Sequence, residues 1–304
     1  MVFFVRKMNK VFIIIGFFLL AFFGCRMPQN VPPPNVDTRV LKDDLDREVR
    51  LPAKVERAVS LAPNLTEMVF AIGAGDRLVG VTTYCNYPEE AKAIQKVGDT
   101  LNPNMESIIA LKPDVVLVST ASQIENFTKT LDQNGIAVFV TNPNSIDSVN
   151  TNLLKLGDLF GKTSGAQALV ETLHKRSTNA SAADKKRERL RVLVQLETET
   201  IFTVGKASFI TDIIEKAGGK SVTDNVDSAY FPLSKETAVA TQPDVIILSD
   251  SESNRRPNEV FKDSPAVKNG RILRVDADIL SRPGPRLIDA LEQISNYLNE
   301  VAPK

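Results

Sequence analysis

Histidine, tryptophan and cysteine are scarce in this chain of 304 residues, which has one histidine, no tryptophan and two cysteines. The single histidine, His174, excludes a zinc or manganese centre that uses several histidine ligands. A Ser-His-Asp or Cys-His catalytic site would also have to use His174, and the chain has no G-x-S-x-G elbow. Two cysteines are too few for a disulfide scaffold, a zinc ribbon or an iron–sulfur cluster. The composition therefore favours a binding protein over an enzyme, with no protein-built metal site and no resident cofactor.

Neither sign of charge is in excess, because 37 lysines and arginines balance 37 aspartates and glutamates. Nucleic-acid-binding domains carry a basic patch or a high isoelectric point, so the balance argues against nucleic acid as a partner. The length suits about two domains of roughly 150 residues each.

The N-terminus resembles a lipoprotein signal. Three basic residues precede an uninterrupted apolar run over 11–23, which is shorter than the roughly 20 residues of a membrane span. Gly24 and Cys25 follow directly. We therefore expect a signal peptide over 1–24 and lipidation at Cys25. An uncleaved N-terminal anchor is the alternative, and either Met1 or Met8 could be the true start.

Removal of the signal would leave 34 basic against 37 acidic residues and would take away seven of the 15 phenylalanines. The polar, proline-rich segment that follows favours an extended spacer, so we expect the lipidated cysteine and a flexible tether over 25–54. Both interpretations of the N-terminus place the body of the chain outside the cytoplasm, in the periplasm or at the cell surface, and leave open which membrane holds the anchor. With Cys25 lipidated, Cys85 would remain a free, inert thiol.

Short β-branched runs alternate with helical patterns over the rest of the chain, which is typical of α/β proteins. The predicted strands are Ala58–Leu61, Leu78–Thr82, Val115–Ser119, Ala137–Thr141, Arg191–Gln195, Val245–Ser249 and Ile272–Val275. The predicted helices include Leu65–Ile72, Met105–Leu111, Gln123–Gln133, Phe209–Ala217, Lys235–Ala240 and Arg286–Val301. A helical linker over 143–189 separates an N-terminal α/β lobe at 55–142 from a C-terminal α/β lobe at 190–304.

Two segments that begin 130 residues apart match each other. ESIIALKPDVVLVS over 106–119 and ETAVATQPDVIILS over 236–249 share a leading glutamate, a Pro-Asp-Val and a strand that ends in serine. A weaker match pairs LTEMVFAIGAGDRLVG with FITDIIEKAGGKSV. Because the spacing exceeds the 20–50 residues of solenoid repeats, we expect two lobes of similar construction.

From about residue 55 to the C-terminus the motifs resemble the cobalamin, haem and ferric-siderophore substrate-binding proteins of ABC importers, and most closely the cobalamin-binding members. The resemblance lies in SLAPNLTEMVFAIGAGDRLVGVTTYCNYP, FTVGKASFITDIIEKAGGKSV, LSKETAVATQPDVIILS and VDADILSRPGPRLIDALEQI. It implies two similar α/β lobes that are joined by a single long helix, with the ligand in the cleft between them. A long helix would make a stiff hinge between the lobes.

The resemblance also implies ligand-binding positions. These are Pro63 and Asn64 in a cleft loop, Tyr84 where a tyrosine packs on the corrin, Phe202 and Phe231 at aromatic positions, and Asp278 and Arg282 at polar positions near a C-terminal loop. A large ligand with apolar faces and amide edges needs flat side chains beneath it and a few polar groups at the rim. Cobalamin binders often have tryptophans in the cleft and this chain has none, so the ligand is left open between cobalamin, haem and a siderophore.

Glu106 and Glu236 begin the two copies of the duplicated motif. The family uses one surface glutamate per lobe to meet arginines on the two transmembrane subunits of the importer, so the resemblance implies that these two residues dock the permease. A glutamate in the first turn of a helix is also favoured by the helix dipole alone. Equivalent placement in both lobes favours the docking role, in which complementary charge would mainly speed and orient association.

Three other residues receive structural interpretations. We expect His174 to be a solvated helix residue, Tyr87 to serve in packing, and Arg286 to cap or pair locally at the start of the last helix.

The leading hypothesis is an extracytoplasmic lipoprotein, monomeric, that captures cobalamin or a related corrinoid and delivers it to an ABC permease dimer and its ATPase. The first alternative is a haem or ferric-siderophore carrier, in which Tyr84 could ligate haem iron through its phenolate or Arg282 could meet a siderophore. In each case the ligand brings its own metal. An extracytoplasmic hydrolase is the remaining alternative and lacks a recognisable nucleophile and base. The sequence leaves the affinity and the degree of lobe closure open.

Overall fold

The computed structural model describes residues 37–119, 124–181 and 188–302. Residues Asp37–Lys304 form one compact unit that contains the whole described core. The predicted signal over 1–24, the lipidation site Cys25 and the two candidate starts lie outside the described residues.

Twelve strands and ten α-helices make up the described part of the chain. The strands are β1 Thr38–Lys42, β2 Glu48–Pro52, β3 Ala58–Ser60, β4 Leu78–Val81, β5 Val115–Ser119, β6 Ala137–Thr141, β7 Arg191–Gln195, β8 Phe202–Val204, β9 Lys220–Ser221, β10 Tyr230–Pro232, β11 Val245–Asp250 and β12 Ile272–Asp276. The helices are α1 Pro63–Ala71, α2 Met105–Ala110, α3 Ile124–Gln133, α4 Ile146–Leu159, α5 Thr163–Ala180, α6 Phe209–Lys216, α7 Lys235–Thr241, α8 Pro265–Lys268, α9 Ala277–Ser281 and α10 Leu287–Val301. The strands and helices predicted above are confirmed to within about two residues at each end. Among the described helices, none combines the length and the apolar content that crossing a membrane requires.

Each lobe contains a four-stranded parallel sheet, and the two sheets have the same topology. The strand order is β4-β3-β5-β6 in the N-terminal lobe and β9-β7-β11-β12 in the C-terminal lobe. When the four strands of each sheet are counted in chain order, the first pairs with the second on one side and with the third on the other. The predicted duplication is therefore confirmed at the level of the fold.

The Pro-Asp-Val motif plays the same structural part in both copies. The carboxylate of Asp114 accepts the backbone N–H groups of Glu56 and Arg57, just before β3. The carboxylate of Asp244 accepts the backbone N–H and the guanidinium of Arg191, at the start of β7. Each aspartate thus ties the first strand of its lobe to the loop before the third.

One hydrophobic core runs through both lobes. Alternate residues of β5, namely Val115 and Leu117, point into it, while Val116 and Val118 point into a separate cluster on the outer face of the N-terminal sheet. The shared core contains Leu65 of α1, Leu156 of α4, Leu173 of α5, Ile213 of α6 and Leu291 of α10. The lobes are therefore packed together through the helices between them.

The helical linker predicted over 143–189 consists of two helices, α4 and α5, within the described residues. The helices α4 and α5 pack against each other on either side of a turn at 160–162, where Gly161 has a φ of +66° that favours glycine. A Cβ added at Gly157 would lie 2.4 Å from the Cβ of Ala166. The missing side chain at Gly157 therefore lets the two helices approach.

The prediction of a flexible tether over 25–54 is wrong for residues 38–52, which form an antiparallel hairpin of β1 and β2. Its sequence alternates with period two, and Val49 and Leu51 are buried against the N-terminal lobe. The buried carboxylate of Asp43 at the turn accepts hydrogen bonds from the Arg47 side chain and from the backbone N–H of Val140 in β6. The hairpin is thus part of the folded body.

We expect Gly157→Ala to lower the free energy of unfolding by about 1–3 kcal/mol, because overpacking forces α4 and α5 apart. This loss should appear even though alanine is the better helix former by about 1 kcal/mol. Urea denaturation followed by circular dichroism measures it. Combining Gly157→Ala with Ala166→Gly exchanges the two residues. The double variant should lose at least about 1 kcal/mol less free energy of unfolding than the sum of the two single losses. Additive losses would contradict the close packing of α4 on α5.

Candidate ligand-binding cleft

A cleft of about 660 Å³ lies between the two lobes, at the carboxyl ends of the parallel strands. Ligands bind at this edge of open α/β sheets because the strand ends and following loops meet there. The lining residues are Ala62, Pro63, Asn64, Tyr84, Thr100, Ser119, Asn142, Pro143, Asn144, Leu196, Ala207, Ser208, Phe209, Ile210, Ala229, Tyr230, Asp278, Ser281, Arg282 and Pro283. The volume falls within the range of about 300–1,000 Å³ that is usual for small-molecule sites.

The structure brings five of the seven predicted ligand-binding residues to this cleft. Pro63 and Asn64 open α1, where proline is favoured in the first turn of a helix. Tyr84 follows β4 and is 60% exposed, so its ring is available at the rim. Asp278 lies on α9 and Arg282 directly follows that helix.

Phe202 and Phe231 are not among the lining residues, in contrast to the prediction. Side chains alternate along a strand, and in β10 it is Tyr230 that faces the cleft. Phe231 instead packs against a separate hydrophobic cluster of the C-terminal lobe, which includes Leu193 and Ile246. A Cβ added at Gly205 would lie 3.3 Å from the Phe231 ring. Phe202 pairs with Pro232, at the end of the β8–β10 ribbon away from Tyr230. The aromatic residue that β10 contributes to the cleft lining is therefore Tyr230, one residue before the predicted Phe231.

The lining is largely uncharged. Among the described lining residues the two charged side chains are Asp278 and Arg282, which form an ion pair of 2.6 Å with each other. The remaining polar groups are amides and hydroxyls, from asparagines at 64, 142 and 144, serines at 119, 208 and 281, Thr100, Tyr84 and Tyr230. The lining therefore offers hydrogen bonds without a net charge.

A buried carboxylate joins the lobes beside the cleft. Glu67 on α1 has a side chain that is 2% exposed, and it accepts three hydrogen bonds from the C-terminal lobe. Arg282 donates Nη1 to Oε1 at 3.0 Å, and Arg286 donates Nη2 to Oε1 at 2.6 Å and Nε to Oε2 at 2.8 Å. The hydrogen bond with Glu67 is the main reason that the pKa of Arg286 is raised, while burial acts in the opposite direction.

Arg282 also joins the two walls of the cleft. Its guanidinium donates to the Asn86 Oδ1 at 2.7 Å and to the Tyr84 carbonyl at 3.4 Å, both in the loop after β4. Asn86 Nδ2 in turn donates to the Asp278 Oδ2 at 2.9 Å. The donors of Arg282 are thus committed to protein groups on both sides.

The cluster was only partly visible in the sequence. The prediction that Arg286 caps or pairs locally at the start of α10 is wrong. Arg286 instead binds Glu67 of the other lobe and stacks over the Tyr87 ring at 4.2 Å. Glu67 and Asn86 were not predicted as site residues. The available signal was an acidic residue within the mostly apolar segment LTEMVFAI, since a charge in a buried run needs partners.

The predicted docking residues, Glu106 and Glu236, occupy equivalent positions on the two lobes. Each is the exposed second residue of a helix, in α2 and α7 respectively. Asn104 and Ser234 cap these helices by accepting the backbone N–H three residues on. The pKa of Glu236 is lowered by a hydrogen bond from its own backbone N–H, by the Ser234 hydroxyl and by the charge of Lys235. Each lobe thus presents one carboxylate on a capped helix.

Cys85 and His174 agree with their structural interpretations. Cys85 is a buried free thiol that contacts the hydroxyls of Thr66 and Thr82. His174 is exposed on α5. Within the described residues, no group of three histidine, cysteine, aspartate or glutamate side chains could hold a metal ion.

We expect Phe231→Ala to lower the free energy of unfolding by about 2 kcal/mol, because it removes a ring from a packed cluster. Tyr230→Ala, one residue earlier, should cost less than about 1 kcal/mol, because that ring faces the cleft. Urea denaturation of the two variants tests this order. Equal losses, or the reverse order, would contradict the orientation of β10.

Comparison with known proteins agrees with this geometry. Residues 59–279 match the family described as periplasmic binding protein. Two relatives are the vitamin B12-binding protein of Vibrio vulnificus (29% identical, covering 83% of this chain and 93% of the relative) and the uncharacterized ABC transporter substrate-binding lipoprotein YvrC of Bacillus subtilis (30% identical, 85% and 84%).

Solved structures are similar over the same region. The periplasmic vitamin B12 binding protein BtuF of Vibrio cholerae is 27% identical, with a TM-score of 0.73 over 81% of this chain and 97% of that chain. A periplasmic heme binding protein from Pseudomonas aeruginosa is 25% identical, with a TM-score of 0.73 over 82% and 94%. The match over most of the compact unit, with the predicted α/β fold of two lobes around a cleft, identifies the chain as a member of the periplasmic binding protein family.

Proposed function

We propose that this protein is an extracytoplasmic substrate-binding protein that captures cobalamin or a related corrinoid and delivers it to an ABC importer. It binds its ligand without transforming it and needs no resident cofactor. The proposal rests on the cleft between the lobes, on the names of the relatives, and on the paired glutamates.

The hydrogen-bonding lining of the cleft, whose two charged side chains pair with each other, is the observation that carries the choice of ligand. A corrinoid presents broad apolar faces and a periphery of amide groups. Tyr84 and Tyr230 supply flat rings from opposite lobes, and amides and hydroxyls surround them. Neutral amides pair with such groups without leaving a buried charge, whose unpaired burial is costly.

The alternative ligands, haem and anionic siderophores, find less support in the lining. Their carboxylate or catecholate groups would need cationic partners, and Arg282, the one cation among the lining residues, is already bound to Glu67 and Asp278. One observation favours haem as the second candidate, since the exposed Tyr84 phenol stands at the rim where it could reach an iron atom. Tyr230 is less suited to that role because burial raises its pKa and so disfavours the phenolate.

Glu106 and Glu236 would dock the protein on the permease for delivery of the ligand. The two lobes share one topology, so their glutamates form a pseudo-symmetric pair that suits a permease dimer with its ATPase. The exposed carboxylates would meet arginines on the two subunits. The protein would act as a monomer, since a second copy is not needed to complete the cleft.

Anchoring by lipid at Cys25 completes the proposal. The Gly24-Cys25 junction after the apolar run supports a lipoprotein, and the relative in Bacillus subtilis is described as one. A tether ahead of the β1–β2 hairpin would keep the binding unit close to the importer.

Titration of residues 26–304, which include the whole compact unit, with cyanocobalamin, haem and a ferric hydroxamate tests the ligand. We expect cyanocobalamin to bind with a Kd below about 1 µM. Tyr84→Ala should raise that Kd about tenfold or more because it removes a flat ring from the site, whereas Leu154→Ala, an exposed change on α4, should leave it unaltered. Tight binding of haem or hydroxamate without cyanocobalamin binding would reject the corrinoid.

Charge reversal tests docking separately from binding. Glu106→Lys combined with Glu236→Lys should abolish ligand uptake by cells while leaving the Kd of the purified protein within about twofold, because neither residue lines the cleft. Glu90→Lys combined with Glu215→Lys, also one exposed glutamate per lobe, is the matched control and should leave uptake intact. Uptake that survives the first pair of changes would refute the docking role.

A further inference from the structure

The buried Glu67 carboxylate joins the two lobes beside the cleft, and it is not among the lining residues. Within the described residues its three hydrogen bonds come from Arg282 and Arg286 of the C-terminal lobe, at 2.6–3.0 Å, and none comes from a cation of its own lobe. A carboxylate that is 2% exposed is stable only while such partners are present. Separating the lobes at this point would therefore leave a buried charge unpaired.

The arginines that bind Glu67 also hold the loop that carries Tyr84. Arg282 donates to the Tyr84 carbonyl and to Asn86, and the Arg286 guanidinium covers the Tyr87 ring. Tyr84 itself is 60% exposed at the rim. The loop is therefore anchored from the opposite lobe, while its tyrosine side chain remains open to the cleft.

The same cluster fixes Asp278 on the other wall. Arg282 binds one oxygen of Asp278 at 2.6 Å, and Asn86 donates to the other at 2.9 Å. A continuous chain of charge-assisted hydrogen bonds thus runs from Glu67 to both walls of the cleft. Rigid pre-arrangement of a site lowers the conformational cost of binding.

We propose that Glu67 is a positioning residue, which holds the lobes at one separation and presents Tyr84 and Asp278 to the ligand without touching it. This inference rests on the proposed function for the identity of the ligand. Loss of Glu67 would reduce the fraction of molecules whose cleft is competent to bind. The apparent Kd rises in inverse proportion to that fraction, and the loss appears in the association rate constant because the bound complex is unchanged.

The separation of the lobes can be measured without ligand. Ala110→Cys and Ala240→Cys place spin labels at equivalent exposed positions on the two lobes, and the buried Cys85 should not react. In residues 26–304 we expect one narrow distance distribution between the labels. Glu67→Gln should broaden it and shift its mean, while the matched control Glu90→Gln, on the surface of the same lobe, should not.

Binding kinetics of cyanocobalamin supply the second measurement. Glu67→Gln should lower the association rate constant about tenfold, with the dissociation rate constant changed less than about twofold. Arg286→Lys keeps the charge but loses the bidentate contact, so it should show a smaller effect of the same kind. It also keeps the test decisive if Glu67→Gln does not fold.

An unchanged distance distribution in folded Glu67→Gln would overturn the inference, as would a changed distribution with unaltered association kinetics. Failure of the unsubstituted protein to bind cyanocobalamin would instead reject the proposed function. The distance measurement would still decide whether Glu67 sets the lobe separation, and the kinetics would then be repeated with whichever of haem or hydroxamate binds.

Discussion

The arrangement of this protein depends on one buried carboxylate. Glu67 is the one charged residue among the buried side chains of α1, and a charge in that position requires partners of opposite sign. The partners come from the other lobe, as Arg282 and Arg286. Replacing such a cluster with apolar residues of similar volume is often neutral in stability, so its value here lies in what it arranges. It fixes which surfaces face each other across the cleft.

The two lobes are built alike but use this position differently. When the lobes are aligned on Gly73 and Gly218, which both end a helix with positive φ, Glu67 corresponds to Asp212. The Asp212 carboxylate accepts the backbone N–H of Ile146 at the start of α4. Each lobe therefore sends an acidic side chain from its first helix to a neighbouring part of the molecule. Asp212 binds the start of α4 and Glu67 binds the opposite lobe, which breaks the pseudo-symmetry beside the cleft.

Much of the fold could be predicted from the chain itself, because buried parallel strands are continuous β-branched runs and the repeated Pro-Asp-Val motif marks the third strand of each lobe. Prediction from local sequence patterns fails where contacts between residues distant in the chain determine the structure. The β1–β2 hairpin has short strands within a polar region, and its inward residues become apparent only once β6 is in place. The close packing of α4 on α5 across Gly161 likewise depends on contacts between helices that the local pattern does not show.

Site residues could be predicted where they lie at the ends of strands or in the loops that follow. Pro63, Tyr84 and Asp278 lie where the parallel strands terminate, and the topology brings such positions together. Phe231 was misplaced because the choice between two adjacent aromatic residues depends on the orientation of a three-residue strand. The pairing of Arg286 with Glu67 joins residues 219 positions apart. The acidic residue in a mostly apolar helix indicates that a partner is needed, but a single sequence does not indicate which residue it is.

The distribution of tyrosines has an optical consequence. With no tryptophan and four tyrosines, the chain's ultraviolet emission comes almost wholly from tyrosine. Two of the four rings, Tyr84 and Tyr230, line the cleft, and Tyr87 lies beside it under the Arg286 guanidinium. A bound chromophore with a broad near-ultraviolet band would lie within energy-transfer range of most of the emitting rings. The molecule therefore carries its own fluorescent reporter of cleft occupancy, and no label is needed to observe loading.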